Sequence, residues 1–118
     1  MSTLSRPAAS LETWSNHAWR DGVQLDDLSG LESLTVRTKN SIYEITVMAP
    51  HTGEILVRGG RFFPTFTRAV LAGASLGGSF LKRRGIYVGF LMELQHDDQT
   101  LVTTRVQSIV RTTCQRVQ

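Results

Sequence analysis

Six cations in the middle of the chain are the residues best suited to chemistry with a partner. Arg58 and Arg61 flank Gly59-Gly60 and are followed by Phe62, Phe63, Phe66 and then Arg68. Further on, Lys82-Arg83-Arg84 form a run closed by Gly85 and followed by Tyr87. Cations neutralise phosphates and exposed aromatic rings stack on unpaired bases, the combination with which small β-barrels hold single-stranded nucleic acid. A structural account competes with this one. A barrel must fill its interior, three phenylalanines are candidates for the filling, and Lys82 to Arg84 would suit a solvated hairpin tip.

The remaining candidates point away from catalysis. Gly73 to Gly78 has the spacing of a phosphate-binding loop, but the lysine between the second glycine and Ser79 is missing. Gly85 also comes too soon for the helix that would hold the anion at its N-terminus. Glycines at a structural corner are the better reading. His17, His51 and His96 lie in separate segments with no second ligand at metal spacing. Cys114 sits in a polar tail without a basic partner. Glu44 and Glu93 could act as an acid–base pair, but Glu93 is more simply paired with Arg105 of a neighbouring strand. His96-Asp97-Asp98 reads as turn chemistry. No catalytic residue, cofactor or metal ligand is therefore expected.

What must position these groups follows from composition and pattern. A chain of 118 residues, 41% hydrophobic and 19% charged, predicts one globular domain. A single cysteine cannot form an internal disulfide, and residues 1–10 lack the charged-then-apolar order of a signal peptide, so a cytoplasmic location is expected. The net charge of +3 is unevenly spread. Glu12, Asp21, Asp26, Asp27 and Glu32 make residues 1–32 acidic, whereas the six cations face only Glu54 within 54–84. This asymmetry fits an anionic partner, and it fits equally an acidic N-terminal segment lying over the basic middle.

Residues 1–10 read as a disordered terminus and 11–118 as one β domain, with 11–32 as a capping segment. Ser10 can cap a short helix over Leu11–Arg20, ended by Gly22, with Trp14 and Trp19 as anchors. From residue 33 the period is two. Leu34 and Val36 form one apolar row, and Tyr43, Ile45 and Val47 form another after a change of parity at Lys39-Asn40. Ile55 and Val57 should share their face beyond the turn Ala49–Gly53. A second hairpin joins Gly85–Gln95, with Ile86, Val88, Phe90, Met92 and Leu94 inward, to a strand with Val102, Thr104, Val106, Ser108 and Val110 inward. The loop between them is His96–Thr100. The stretch 60–84 is less regular: Pro64 suits a central strand poorly, and Thr67–Ala72 fits one helical turn stopped by Gly73.

The pattern predicts an all-β fold with minor α content, a small roll or partly open barrel with an N-terminal cap. Apolar residues on both faces, Ile42 and Met48 opposite Tyr43 to Val47 and Tyr87 and Leu91 opposite Val88 to Met92, call for a second cover. That cover is the N-terminal segment or another subunit. The run Ala72-Gly73-Ala74-Ser75-Leu76-Gly77-Gly78-Ser79-Phe80-Leu81-Lys82 completes the picture. Together with Val57–Gly60, Gly89–Leu94 and Thr103–Ile109, it resembles small uncharacterised bacterial β-domain proteins over roughly residues 34–110. The resemblance implies a bacterial source and a compact β domain, and carries no activity. The leading expectation is a non-enzymatic binding or assembly module that self-associates as a homo-oligomer. The alternative is a single-stranded nucleic-acid-binding barrel using Arg58, Arg61, Arg68, Lys82, Arg83 and Arg84. An enzyme without a recognisable motif ranks third.

Overall fold

Period-two alternation does produce strands: the computed structural model, which describes residues 21–78 and 80–112, is nearly all β. In chain order the strands are β1 (Gly22–Gln24), β2 (Ser33–Thr38), β3 (Ile42–Ala49), β4 (Glu54–Gly59), β5 (Phe63–Ser75), β6 (Leu81–Arg83), β7 (Gly85–Tyr87), β8 (Leu91–His96) and β9 (Gln99–Thr112). A 3-10 turn at Leu25–Asp27 is the helical content among the described residues. The expectations for 1–10, for a helix over Leu11–Arg20, for Trp14, Trp19 and His17, and for Cys114 lie outside the described residues. Gly22, expected as a helix stop, belongs to β1.

The main sheet runs β4-β3-β2-β9-β8-β5, and a further β4–β5 pairing turns it into a ring of antiparallel strands. This is a small, partly closed barrel, which removes most edges from a sheet of this size. Its registers follow the sequence pattern. Leu34 faces Ile45 and Val36 faces Tyr43, so the parity change at Lys39-Asn40 is the β2–β3 turn. Ile45 faces Val57 and Val47 faces Ile55, which places all four on the inner face. Each fully buried Val, Leu or Ile contributes about 1.5–3 kcal/mol relative to exposure. No described helix is long and apolar enough to cross a membrane.

The described part of the capping segment packs onto this barrel. Leu25 and Leu28 join the interior cluster. Backbone bonds fasten them: Leu25 N–H donates to Arg84 O at 2.9 Å, and Val47 N–H donates to Glu32 O at 2.9 Å. β1 pairs with β7 and covers Tyr87. The second cover over Tyr87 is therefore the N-terminal segment.

Five expectations are corrected. Thr67–Ala72 is extended, not helical, because β5 is held by β4 along one part and by β8 and β6 along another. Ala69 and Leu71 turn inward against Ile55 and Leu94, and tertiary pairing outweighs local preference. Pro64 does stand in this strand, exposed, within a register irregularity between Val57 and Gly59 where a ladder bond is dispensable. Gly85–Gln95 is two strands, β7 and β8, separated by a turn at Val88–Phe90. The loop after β8 is the two residues Asp97-Asp98, since His96 already pairs with Gln99.

The fifth correction concerns β9. Register shifts occur where it meets β8 near Glu93 and where it meets β2 near Thr38. Each inserts one residue and reverses the side-chain alternation. Val106 is thus buried while Val102 and Val110 are exposed, and Leu101 and Ile109 pack on the core instead. The expected single apolar row from Val102 to Val110 does not exist.

Candidate nucleic-acid interface

The β4–β5 hairpin carries Arg58, Arg61, Phe62, Phe63, Phe66 and Arg68, and its backbone decides which of them are exposed. Gly60 turns the chain at φ 61°, and a Cβ there would lie 2.7 Å from the Tyr43 phenol oxygen. Glycine alone fits this close approach in left-handed backbone. Beyond the tip, only one of the three phenylalanines enters the core. Phe63 is 1% exposed, whereas Phe62 and Phe66 are 52% and 45% exposed. Phe63 meets the His96 ring edge-on, with centroids 5.8 Å apart. Its two neighbours present their rings to solvent.

Arg58 holds one of those rings. Its guanidinium carbon lies 4.5 Å from the centre of Phe66, within the range of a cation–π contact. The same guanidinium donates from Nε to Glu44 Oε1 at 2.8 Å and from Nη2 to the same oxygen. Arg58 is therefore a positioning residue whose charge is already matched. Arg68 stands on β5 opposite Leu56, on the outer wall shared with Arg58. Arg61 and Arg68 are exposed and make no ion pair among the described residues. Arg37 on β2, paired across the ladder with Ile42, is exposed and without an ion pair in the same sense. The sequence reading passed over Arg37, although its place opposite in parity to Leu34 and Val36 marks it as outward.

The other three cations stand elsewhere. Lys82 pairs with Ala74 and Arg83 with Gly73, five or six positions beyond Arg68 on β5, roughly 20 Å along an extended strand. Arg84 occupies left-handed backbone at φ 56°. Its N–H donates to Ala72 O, and its guanidinium donates to both Asp26 carboxylate oxygens, at 2.7 and 3.0 Å. The hydrogen bond from Arg84 holds Asp26 below the usual carboxylate range. The acidic N-terminal segment thus lies against the basic run at Arg84. The six residues do not form one patch.

Other expectations are settled by contacts. Glu93 accepts from the Ser75 hydroxyl at 2.5 Å, while Arg105 donates to Gly89 O at 2.8 Å. Arg105 stands opposite Leu91 and Glu93 opposite Val102, and each side chain has a different partner from the one expected. Ser75 also accepts from Gly77 N–H at 3.3 Å, so the glycine-rich run is a pinned corner. Glu44 and Glu93 stand on strands separated by β4 and β5 in the ring, with separate partners. His96 Nδ1–H donates to Arg68 O, 3.1 Å away. Among the described residues no three His, Cys, Asp or Glu side chains gather as a metal site.

A partly closed antiparallel barrel with an aromatic and cationic hairpin on its outer wall is the class defined by fold and surface. Comparison with protein-family models, with curated proteins and with solved structures finds no match.

Proposed function

We propose that this chain is a non-enzymatic binding module that holds single-stranded nucleic acid on the outer face of the β4–β5 hairpin. The observation that carries this reading is the opposite fate of three nearby phenylalanines, Phe63 filling the interior while Phe62 and Phe66 remain exposed. Burying all three would be favoured by the hydrophobic effect alone. Two large rings left in water beside Arg61 and Arg68 suit base stacking with phosphate neutralisation. Phe66 is held ready by Arg58, Phe62 extends the stacking surface, and Arg37, Arg61 and Arg68 meet phosphates. Lys82, Arg83 and Arg84 are not assigned to this face. A bacterial cytoplasmic setting goes with the resemblance noted above and with the absence of any disulfide requirement.

The test is binding of a labelled single-stranded oligonucleotide over a salt series. Three phosphate contacts give a slope of log affinity against log salt of about −2. Absence of binding at low salt overturns the reading.

A second reading, self-association, draws on Leu31, Ile42, Met48 and Val110, all large apolar residues exposed on the described chain. Sedimentation at micromolar concentration tests it, and a monomer overturns it.

A further inference from the structure

A second surface has a different chemistry. A shallow hollow of about 590 Å³ is bounded in part by Lys39, Val88, Gly89, Leu91, Arg105 and Val106. Its size lies within the range of small-molecule sites. The two β9 register shifts lie on either side of it, near Glu93 and near Thr38, and bulges commonly re-aim side chains next to binding sites. The backbone around it is fixed: Lys39 N–H donates to Arg105 O at 3.0 Å, Gly89 N–H to Val106 O at 2.8 Å, and Val106 N–H to Phe90 O at 2.9 Å. Gly89 stands at φ 92°, and a Cβ there would meet nothing within 4 Å, so this wall is open.

Its charge is one-sided. Lys39 and Arg105 are the ionisable residues of the lining, no carboxylate is among them, and neither makes an ion pair among the described residues. Arg105 uses one N–H on Gly89 O, leaving others of its five donors for an anion. Val88 and Leu91, both partly exposed, supply an apolar surface beneath. We infer that this hollow binds a small amphipathic carboxylate, a medium-length aliphatic acid, with the head group between Lys39 and Arg105 and the chain against Val88 and Leu91. The inference is independent of the nucleic-acid reading, since none of its residues belongs to the β4–β5 hairpin.

The experiment is amide NMR on the full ¹⁵N-labelled chain titrated with octanoate, octanol or octylammonium. Octanoate is expected to move the Gly89, Arg105 and Val106 amides saturably. Octanol should bind about tenfold more weakly for want of charge-assisted hydrogen bonds, and octylammonium should not compete. Lys39→Gln, an exposed change, should weaken octanoate severalfold, and Arg105→Gln should do the same. No saturable movement with octanoate overturns the inference, as does equal binding of octanol, which would reduce the hollow to an apolar patch.

Discussion

The Arg58 guanidinium is shared between the Glu44 carboxylate and the face of the Phe66 ring, with its carbon 4.5 Å from the ring centre. It spans two strands from the one between them and fixes an exposed aromatic without burying it. Phe66→Ala should therefore weaken oligonucleotide binding by about 1–3 kcal/mol, the usual worth of a stacked base. Stability should change by no more than about 0.5 kcal/mol, as for surface substitutions generally. Fluorescence anisotropy and urea denaturation on the same variant check both halves. Unchanged affinity in both Phe62→Ala and Phe66→Ala removes the stacking role.

Phe63 should behave in the opposite way. It is 1% exposed, so Phe63→Ala leaves a cavity and is expected to cost about 3–5 kcal/mol of stability. Denaturant midpoints for alanine at 62, 63 and 66 should single out the middle position. A comparable loss at all three would mean that the hairpin buries every ring.

This contrast shows where the sequence is readable and where it is not. The facing of Val36 with Tyr43, and of Ile45 with Val57, follows from parity and turn length, because one buried face specifies register. Phe62 and Phe63 are chemically alike and adjacent, so alternation puts one inside but does not say which. The bulge beyond Val57 and the contact of Gly60 with Tyr43 decide it. β9 is harder still. Its two inserted residues, one within Thr103-Thr104 and one at Gln107, are ordinary polar types, without a glycine to mark them, and each silently exchanges the inner and outer sets. Glu93 bonds Ser75 on its other neighbour, β5, where the sequence suggested Arg105. The separation of Arg84 from Arg68 was equally hidden, since it depends on the full extension of β5.

Acid should loosen the cap. Asp26 is held below its ordinary value of 3.8, first by the Arg84 hydrogen bond, and Glu32 below 4.5, first by the Ser29 N–H and then by Arg111. A lowered folded-state value stabilises the fold above the unfolded value, and that contribution is lost as pH falls through the folded one. Urea midpoints should thus be flat near neutrality and decline once pH drops below these ordinary carboxylate values. Asp26→Asn should be less stable at pH 7 and show a shallower acid decline. An identical pH profile in wild type and variant would deny Asp26 this role.

The tightest sequence-specific test of the fold is the β8–β9 turn. His96 pairs with Gln99, so Asp97 and Asp98 alone reverse the chain, at φ 50° and 64°. Positive values at both central positions define the type I′ turn, whose right-handed twist suits a two-residue hairpin and which favours Asn-Gly or Asp-Gly. Asp tolerates this region better than most residues, yet a Cβ there still costs energy that glycine avoids. Asp98→Gly, giving the favoured pair without altering the first position, should therefore raise stability by roughly 0.5–1 kcal/mol despite the added freedom of the unfolded chain. A five-residue loop over 96–100 would place no such demand on residue 98, and the same substitution would then be neutral or destabilising. Thermal or urea denaturation of this one variant separates the two arrangements, and with them the register that sets Leu94 inward and Val102 outward.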